Sequence, residues 1–219
     1  LTARIRGSDG DYRPMLASGS PIHDAMGQVI RWCGVLVDLS AQHAHDSRQS
    51  LLRAFAEATS DITDASAILA TMAEMTIAHM GVAQVTYSEV TGDPTLFNVF
   101  QARAGRVPDG ALTTFRFGKG CEALLAAYRQ GRTLVARSLD DPLPELTPQV
   151  IGARRAIGMC AAVSVPLIKD GRFVAVLTVS DPVSRQWSAS EVQLAEELAD
   201  RVWSSVSRAR AEAALAERE

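Results

Sequence analysis

The chain has 219 residues, 22 basic against 25 acidic side chains, a formal charge of −3 and an apolar fraction of 47%. A chain of this length buries enough surface for a hydrophobic core without staples. The composition excludes a disordered polymer and gives no support to a nucleic-acid binder, and apolar runs of about five residues fall far short of the ~20 that span a bilayer.

The first forty residues read as a three-strand antiparallel meander. Leu1 to Gly7 leads into Ser8-Asp9-Gly10, and Asp-Gly is a strong hairpin signal. Asp11 to Ser20 returns, with Pro14 suited to an edge or a bulge. After His23 to Gly27 the run Gln28 to Val37 is strongly β-forming and apolar on both sides towards its end, so it calls for cover on both faces. Residues 41–62 then turn helical, with Leu51, Phe55, Ala58 and Ile62 at helical spacing. A second helix is predicted from about Asp64, with Thr63 as its N-cap and Gly81 closing it.

From Val82 the period changes to two. Strands are predicted over Val82–Val90, Thr95–Ala104 and Leu112–Phe117, followed by a short helix from Glu122 to Gln130 and a short strand at Thr133–Ala136. A Pro/Asp-rich loop, Ser138 to Pro148, and a helix near Gln149–Ala156 precede a hairpin. Its strands are Cys160–Ile168 and Arg172–Ser180, turned at Asp170-Gly171. Ser188 and Glu191 form a capping box for a long helix running to the chain end. Along it Val192, Ala195, Ala199, Val202, Val206, Ala209, Ala213 and Ala216 follow a 3-4 spacing, the pattern of a helix-pairing seam. Leu194, Leu198 and Trp203 form a second apolar face, which would serve the helix's own domain.

Two resemblances follow from particular segments. Arg4-Ile5-Arg6-Gly7-Ser8-Asp9-Gly10, Gly27-Gln28-Val29-Ile30-Arg31-Trp32 and Val37-Asp38-Leu39-Ser40 resemble the C-terminal half of a PAS domain, the PAC motif. From about residue 47 the chain resembles a GAF domain of bacterial sensor histidine kinases. That likeness rests on Gly131-Arg132-Thr133-Leu134-Val135, Gly158-Met159-Cys160 through Ser164-Val165-Pro166-Leu167, Asp170-Gly171-Arg172-Phe173-Val174-Ala175-Val176-Leu177 and Trp187-Ser188-Ala189-Ser190-Glu191-Val192. The fold implied is α+β, a central antiparallel sheet with helices behind it and a pocket in front. The domains would be 1–40 PAS end, 41–62 linker helix, 63–187 GAF core and 188–219 output helix. The role implied is sensory and non-catalytic, in a two-component phosphorelay whose kinase part lies beyond Glu219. The chain would pair as a homodimer through its N- and C-terminal helices along Val192, Ala195, Ala199, Val202, Val206, Ala209 and Ala213.

The candidate site residues give a thinner signal. Tyr87, Phe100, Phe115, Phe117, Cys121 and Met159 either line a small-molecule pocket or fill the core, and the sequence does not choose. Three widely spaced cysteines, Cys33, Cys121 and Cys160, without a CxxC pair point to a reducing, cytoplasmic setting and to neither disulfides nor zinc. A thiol at a helix N-terminus, as Cys121 would be, is expected to have a lowered pKa. Bilin-binding GAF domains attach their pigment through a Cys-His pair. Cys121 is followed by Glu122 and the Arg154-Arg155-Ala156 segment carries no cysteine, so neither bilin nor haem is expected. His43 and His45, two apart on a helix, face opposite sides and do not make a metal site; no metal is expected. The rival readings are a GAF-type free methionine sulfoxide reductase using Cys121, a purely structural dimerisation module, and the input region of a cyclic-dinucleotide cyclase or phosphodiesterase.

Overall fold

A computed structural model describes residues 1–8, 10, 12–104 and 113–216. Asp9, Asp11 and Leu112, on which the first hairpin turn and the start of the sixth strand were expected, lie outside the described residues, as do 217–219. The chain divides into two compact units, Leu1–Ser50 and Leu51–Glu219.

The first unit holds β1 (Thr2–Arg6), β2 (Tyr12–His23) and β3 (Val29–Asp38), an antiparallel sheet in the order β1-β2-β3. The expected meander is present, and Pro14 sits opposite Arg4 where β2 pairs with β1. Every residue of β3 is exposed, Trp32 to 69%. Asp38 closes β3 by accepting the Ser40 N–H at 2.8 Å, which starts α1 (Ser40–Ala58).

In the second unit α2 (Ala65–Met80) is capped by Asp64, not by Thr63. The Asp64 carboxylate reaches both Ser66 N–H (3.3 Å) and Ala67 N–H (2.9 Å), satisfying two of the free donors of the first turn. Gly81 ends the helix in the left-handed region at φ 62°. The sheet that follows comprises β4 (Gln84–Val90), β5 (Leu96–Arg103), β6 (Thr113–Arg116), β7 (Leu134–Ala136), β8 (Ala161–Lys169) and β9 (Arg172–Asp181). All pairings are antiparallel and the order is β6-β5-β4-β9-β8-β7. Between strands run α3 (Glu122–Arg129) and α4 (Pro148–Ala156), and the chain finishes in α5 (Ala189–Ala216). At the β8–β9 turn, Asp170 and Gly171 both take positive φ, 50° and 72°, the pair of conformations a two-residue hairpin requires. The α+β class and the central antiparallel sheet are as the residues foretell.

One face of this sheet makes the main core. Val85 and Tyr87 of β4, Phe100 of β5, Val163 and Val165 of β8 and Leu177 and Val179 of β9 pack with α2, α5 and the Leu51, Leu52 and Phe55 end of α1. The helical stripe expected to meet a second copy is spent here. Ala195, Ala199, Val202, Val206 and Ala209 are all buried in the chain's own core, together with Leu194 and Leu198. Small residues let α5 lie close to α2, β8 and β9. Of the named stripe, Val192, Ala213 and Ala216 keep access to solvent. The Ser188–Glu191 capping box forms as expected: Ser188 Oγ accepts the Glu191 N–H at 3.2 Å and Glu191 Oε2 accepts the Ser188 N–H at 2.8 Å. No described helix is long and apolar enough to cross a membrane.

Candidate functional site

The other face of the sheet carries polar residues. Because neighbours on a strand alternate sides, burying Val85 and Tyr87 turns Thr86 and Ser88 the opposite way. The antiparallel register then lines up Gln101 of β5, Thr86 of β4, Thr178 of β9 and Ser164 of β8 in a row across four strands. Thr178 Oγ1 donates to Ser164 Oγ at 3.1 Å. Over this row α3 and α4 close a cavity of about 240 Å³.

Each wall follows from local sequence. From α4, Val150, Ala153 and Arg154, and Ile157 just beyond it, face the cavity at the i, i+3, i+4, i+7 spacing of one helix face. Thr147 sets that helix in place by accepting the Val150 N–H (3.3 Å) and donating to the Gly120 carbonyl (2.6 Å), which ties α4 to the loop before α3. Cys121, Leu124 and Tyr128 come from the α3 segment. Phe115 and Phe117 close the β6 end, with ring centroids 5.1 Å apart, and Phe117 meets Phe97 edge-on at 4.7 Å.

Of the six ligand candidates named from the sequence, Phe115, Phe117, Cys121 and Met159 line this cavity. Tyr87 and Phe100 do not. They are cross-strand partners on the other face, each about 1% exposed in the main core. Strand parity separates the two groups, and aromatic character alone does not. Thr86, Ser88, Gln101, Thr178 and Arg154 were missed. Their signal was available as polar residues alternating with Val85, Tyr87, Phe100, Leu177 and Val179, and as an arginine inside the Val150/Ala153/Ile157 stripe.

Cys121 corrects a second expectation. It occupies the N-cap of α3, yet burial pushes its thiol pKa up, the Glu122 charge pushes it the same way, and the hydrogen bond with Gly118 offsets only part. A protonated thiol is a weak nucleophile. Among the described residues no cluster of three or more His, Cys, Asp or Glu is placed to hold a metal ion.

Behind the cavity lies an ionic link. Glu89, at the end of β4, forms a two-pronged pair with Arg210 of α5, Nη1 to Oε1 at 2.8 Å and Nη2 to Oε2 at 2.8 Å. Tyr87 donates its hydroxyl to the same carboxylate at 3.3 Å, and burial together with the Glu89 charge drives the phenol pKa well above its ordinary value. Arg208 donates to the Thr59 and Ser60 carbonyls, 3.0 Å each, so α5 is also fastened to the turn between α1 and α2.

Residues 47–206 match the family described as GAF domain. The chain belongs to the GAF domain family. No curated protein matches it significantly. Solved structures share the fold. The far-red absorbing dark state of JSC1_58120g3 with bound biliverdin IXa is 16% identical, with a TM-score of 0.61 over 73% of this chain and 99% of that one. The free methionine-R-sulfoxide reductase from Neisseria meningitidis, in complex with its substrate, is 22% identical, with a TM-score of 0.58 over 75% and 91%. The chromophore-binding domain of the bacteriophytochrome RpBphP3 from R. palustris is 15% identical, with a TM-score of 0.61 over 97% and 75%. At these identities the likeness establishes the fold. It also corrects the expectation on cofactors, which set bilin aside with haem: a biliverdin-bound structure stands among the structures of this fold.

Proposed function

We propose that this GAF domain is the sensory part of a two-component sensor histidine kinase, and that a small ligand enters the cavity between the sheet and α3–α4. In this reading the chain performs no chemistry. Residues 1–40 complete a PAS domain, the protein works in the cytoplasm, and the kinase portion follows Glu219. Two copies pair through their N- and C-terminal helices, using the solvent-facing side of α5, since the Ala195–Ala209 stripe is occupied.

The observation that carries the sensory role is the position of β4. It supplies Thr86 and Ser88 to the cavity and Glu89 to the Arg210 pair on α5. A ligand shifts such an equilibrium only by its differential affinity for the two arrangements, and β4 is where that difference reaches the helix.

The test is a melting-temperature screen of small metabolites, with biliverdin and free methionine-R-sulfoxide included, followed by hydrogen exchange on the hits. A sensor yields a compound that raises Tm and changes exchange in residues 206–216. Glu89→Gln keeps the Tm rise and loses the change in α5. A compound that raises Tm and leaves α5 exchange untouched defeats the reading. Consumption of methionine sulfoxide with a reductant, abolished by Cys121→Ser, would show an enzyme instead, and sedimentation of the whole chain reports the dimer.

A further inference from the structure

We propose that Arg154 anchors an anionic group, a carboxylate or a phosphate, on the ligand of this cavity. The inference rests on the reading of the cavity as a ligand site and adds the chemistry of what enters it. Arg154 lies on the inward face of α4 and is only 8% exposed, while its neighbour Arg155 is exposed and pairs with Asp140 at 3.5 Å. Among the described residues the Arg154 guanidinium has no hydrogen-bond or ion-pair partner. Nor does the described cavity wall hold a carboxylate.

With the residue only 8% exposed, the ionised guanidinium keeps a narrow contact with water through the cavity and has no counter-charge beside it, a costly arrangement for a group that stays protonated. Five donors in a planar fork suit a carboxylate or a phosphate. Two further polar groups on the opposite wall are uncommitted: the buried Ser88 hydroxyl and the Gln101 amide make no side-chain hydrogen bond with described residues. The remaining wall sets Thr86, Thr113, Thr114 and Thr178 beside an apolar part that includes Phe115, Phe117, Leu124 and Val176. The occupant that fits has a compact apolar or aromatic body, one anionic end for Arg154, and an acceptor for Ser88 or Gln101.

The experiment is calorimetric titration of the whole chain with phenylacetate, phenyl phosphate and the neutral phenylacetamide, comparing the native protein with Arg154→Gln, Arg154→Lys and Ala153→Phe, the last to fill the cavity. At least one anion binds ten-fold or more tightly than the amide. Arg154→Gln erases that preference without weakening the amide, and Arg154→Lys retains part of it. Whichever anion binds more tightly tells carboxylate from phosphate. Unliganded Arg154→Gln melts at or above the native temperature, as removal of an uncompensated charge requires; a lower Tm would mark the arginine as structural and overturn the proposal. Equal binding of anions and amide, all blocked by Ala153→Phe, sinks the anionic anchor and leaves the cavity as a ligand site. Binding indifferent to Ala153→Phe, or absent for all three probes, removes the ligand site and the anchor together.

Discussion

Arg185 is the strongest single test of how the GAF unit is held together. Its guanidinium donates to Asp181 Oδ2 at 2.7 Å, Glu191 Oε1 at 2.6 Å, the Met80 carbonyl at 2.7 Å and the Gly81 carbonyl at 3.3 Å, and it lies 4.8 Å over the Trp187 ring. One side chain thus joins the end of α2, the end of β9 and the first turn of α5. Asp181 extends the clasp by accepting the Ala83 N–H at 2.7 Å. With side-chain exposures of 23% for Arg185, 10% for Asp181 and 24% for Glu191, the pairs fall between exposed ones, worth under about 1 kcal/mol, and fully buried ones, whose breaking costs about 3–5 kcal/mol. Arg185→Ala also strands two helix-end carbonyls, and we expect a loss of about 3 kcal/mol. For a domain of this size that is a fall in Tm of roughly 6–12 °C. The pH dependence supplies a sign. Burial pulls Glu191 upward, but Arg185 and the Ser188 hydrogen bonds outweigh it and hold the carboxyl below its ordinary value of 4.5. A depressed carboxyl contributes stability that is complete above the unfolded value and is lost as pH falls through the folded one. The gap between native protein and variant therefore narrows below about pH 4.5. Urea unfolding at pH 7 and pH 3.5, followed by circular dichroism, measures both. A loss under about 1 kcal/mol at pH 7, typical of an exposed pair, or an equal loss at both pH values, refutes the clasp.

Three other perturbations separate the competing accounts. Val206 is wholly buried in the chain's own core while Ala213 is exposed, so Val206→Asp costs about 3–5 kcal/mol and Ala213→Asp stays within ~0.5 kcal/mol by thermal melting; similar behaviour of the two would restore an intermolecular seam. Asp93 accepts the Thr95 N–H (2.9 Å), the Thr95 hydroxyl (2.7 Å) and Arg116 (2.6 Å), which together lower its pKa from 3.8 to about 2. Its contribution is complete above pH 3.8 and fades towards pH 2, a dependence that Asp93→Asn removes; a carboxyl titrating near 3.8 by NMR would contradict the turn. Gly120 takes φ +88°, and an added Cβ would stand 2.7 Å from Gln149 Oε1. Gly120→Ala is expected to cost about 1–2 kcal/mol in urea unfolding from the left-handed backbone alone, and Gln149→Ala in the same chain relieves only the steric excess. Full rescue by that second change would show that φ carries no strain here.

The fold was legible because periodicity is a local property. Alternation over 84–90 and 172–181, the Asp170-Gly171 turn and the Ser188–Glu191 box each specify their element without reference to the rest of the chain. The cavity was not legible in the same way, since both faces of a sheet alternate and only packing says which one is covered by α2 and α5. Tyr87 and Phe100 looked like lining because they are aromatic, whereas the lining on those strands is Thr86, Ser88 and Gln101. The α5 stripe failed for a related reason. Over four turns a 3.5-residue seam and a 3.6-residue amphipathic face fall on nearly the same positions. Alanine at 195, 199 and 209 suits a close approach to the chain's own sheet as well as it suits a partner helix. Leu194 and Leu198, on a second apolar face, were the clue that α5 is enclosed on more than one side.

In the proposed sensory reading, that enclosure changes how a signal must travel. A weak seam between two copies would respond to register changes of the whole helix, with little demand on the domain behind it. With α5 packed on α2, β8 and β9, motion of the helix end has to come through the sheet, and the core transmits small displacements because it is close-packed. Successive residues of β4 face alternately to the two sides, so Ser88 and Glu89 are one peptide bond apart while one meets the cavity and the other holds Arg210. A contact made at Ser88 acts on the backbone that positions the Glu89 carboxylate, and Tyr87, wedged in the core and bonded to that carboxylate, limits how far it can follow. On the proposed reading, a broken arrangement of the Glu89–Arg210 pair beside the formed one would connect an occupied cavity with a changed end of α5, without any sliding of the buried alanine stripe.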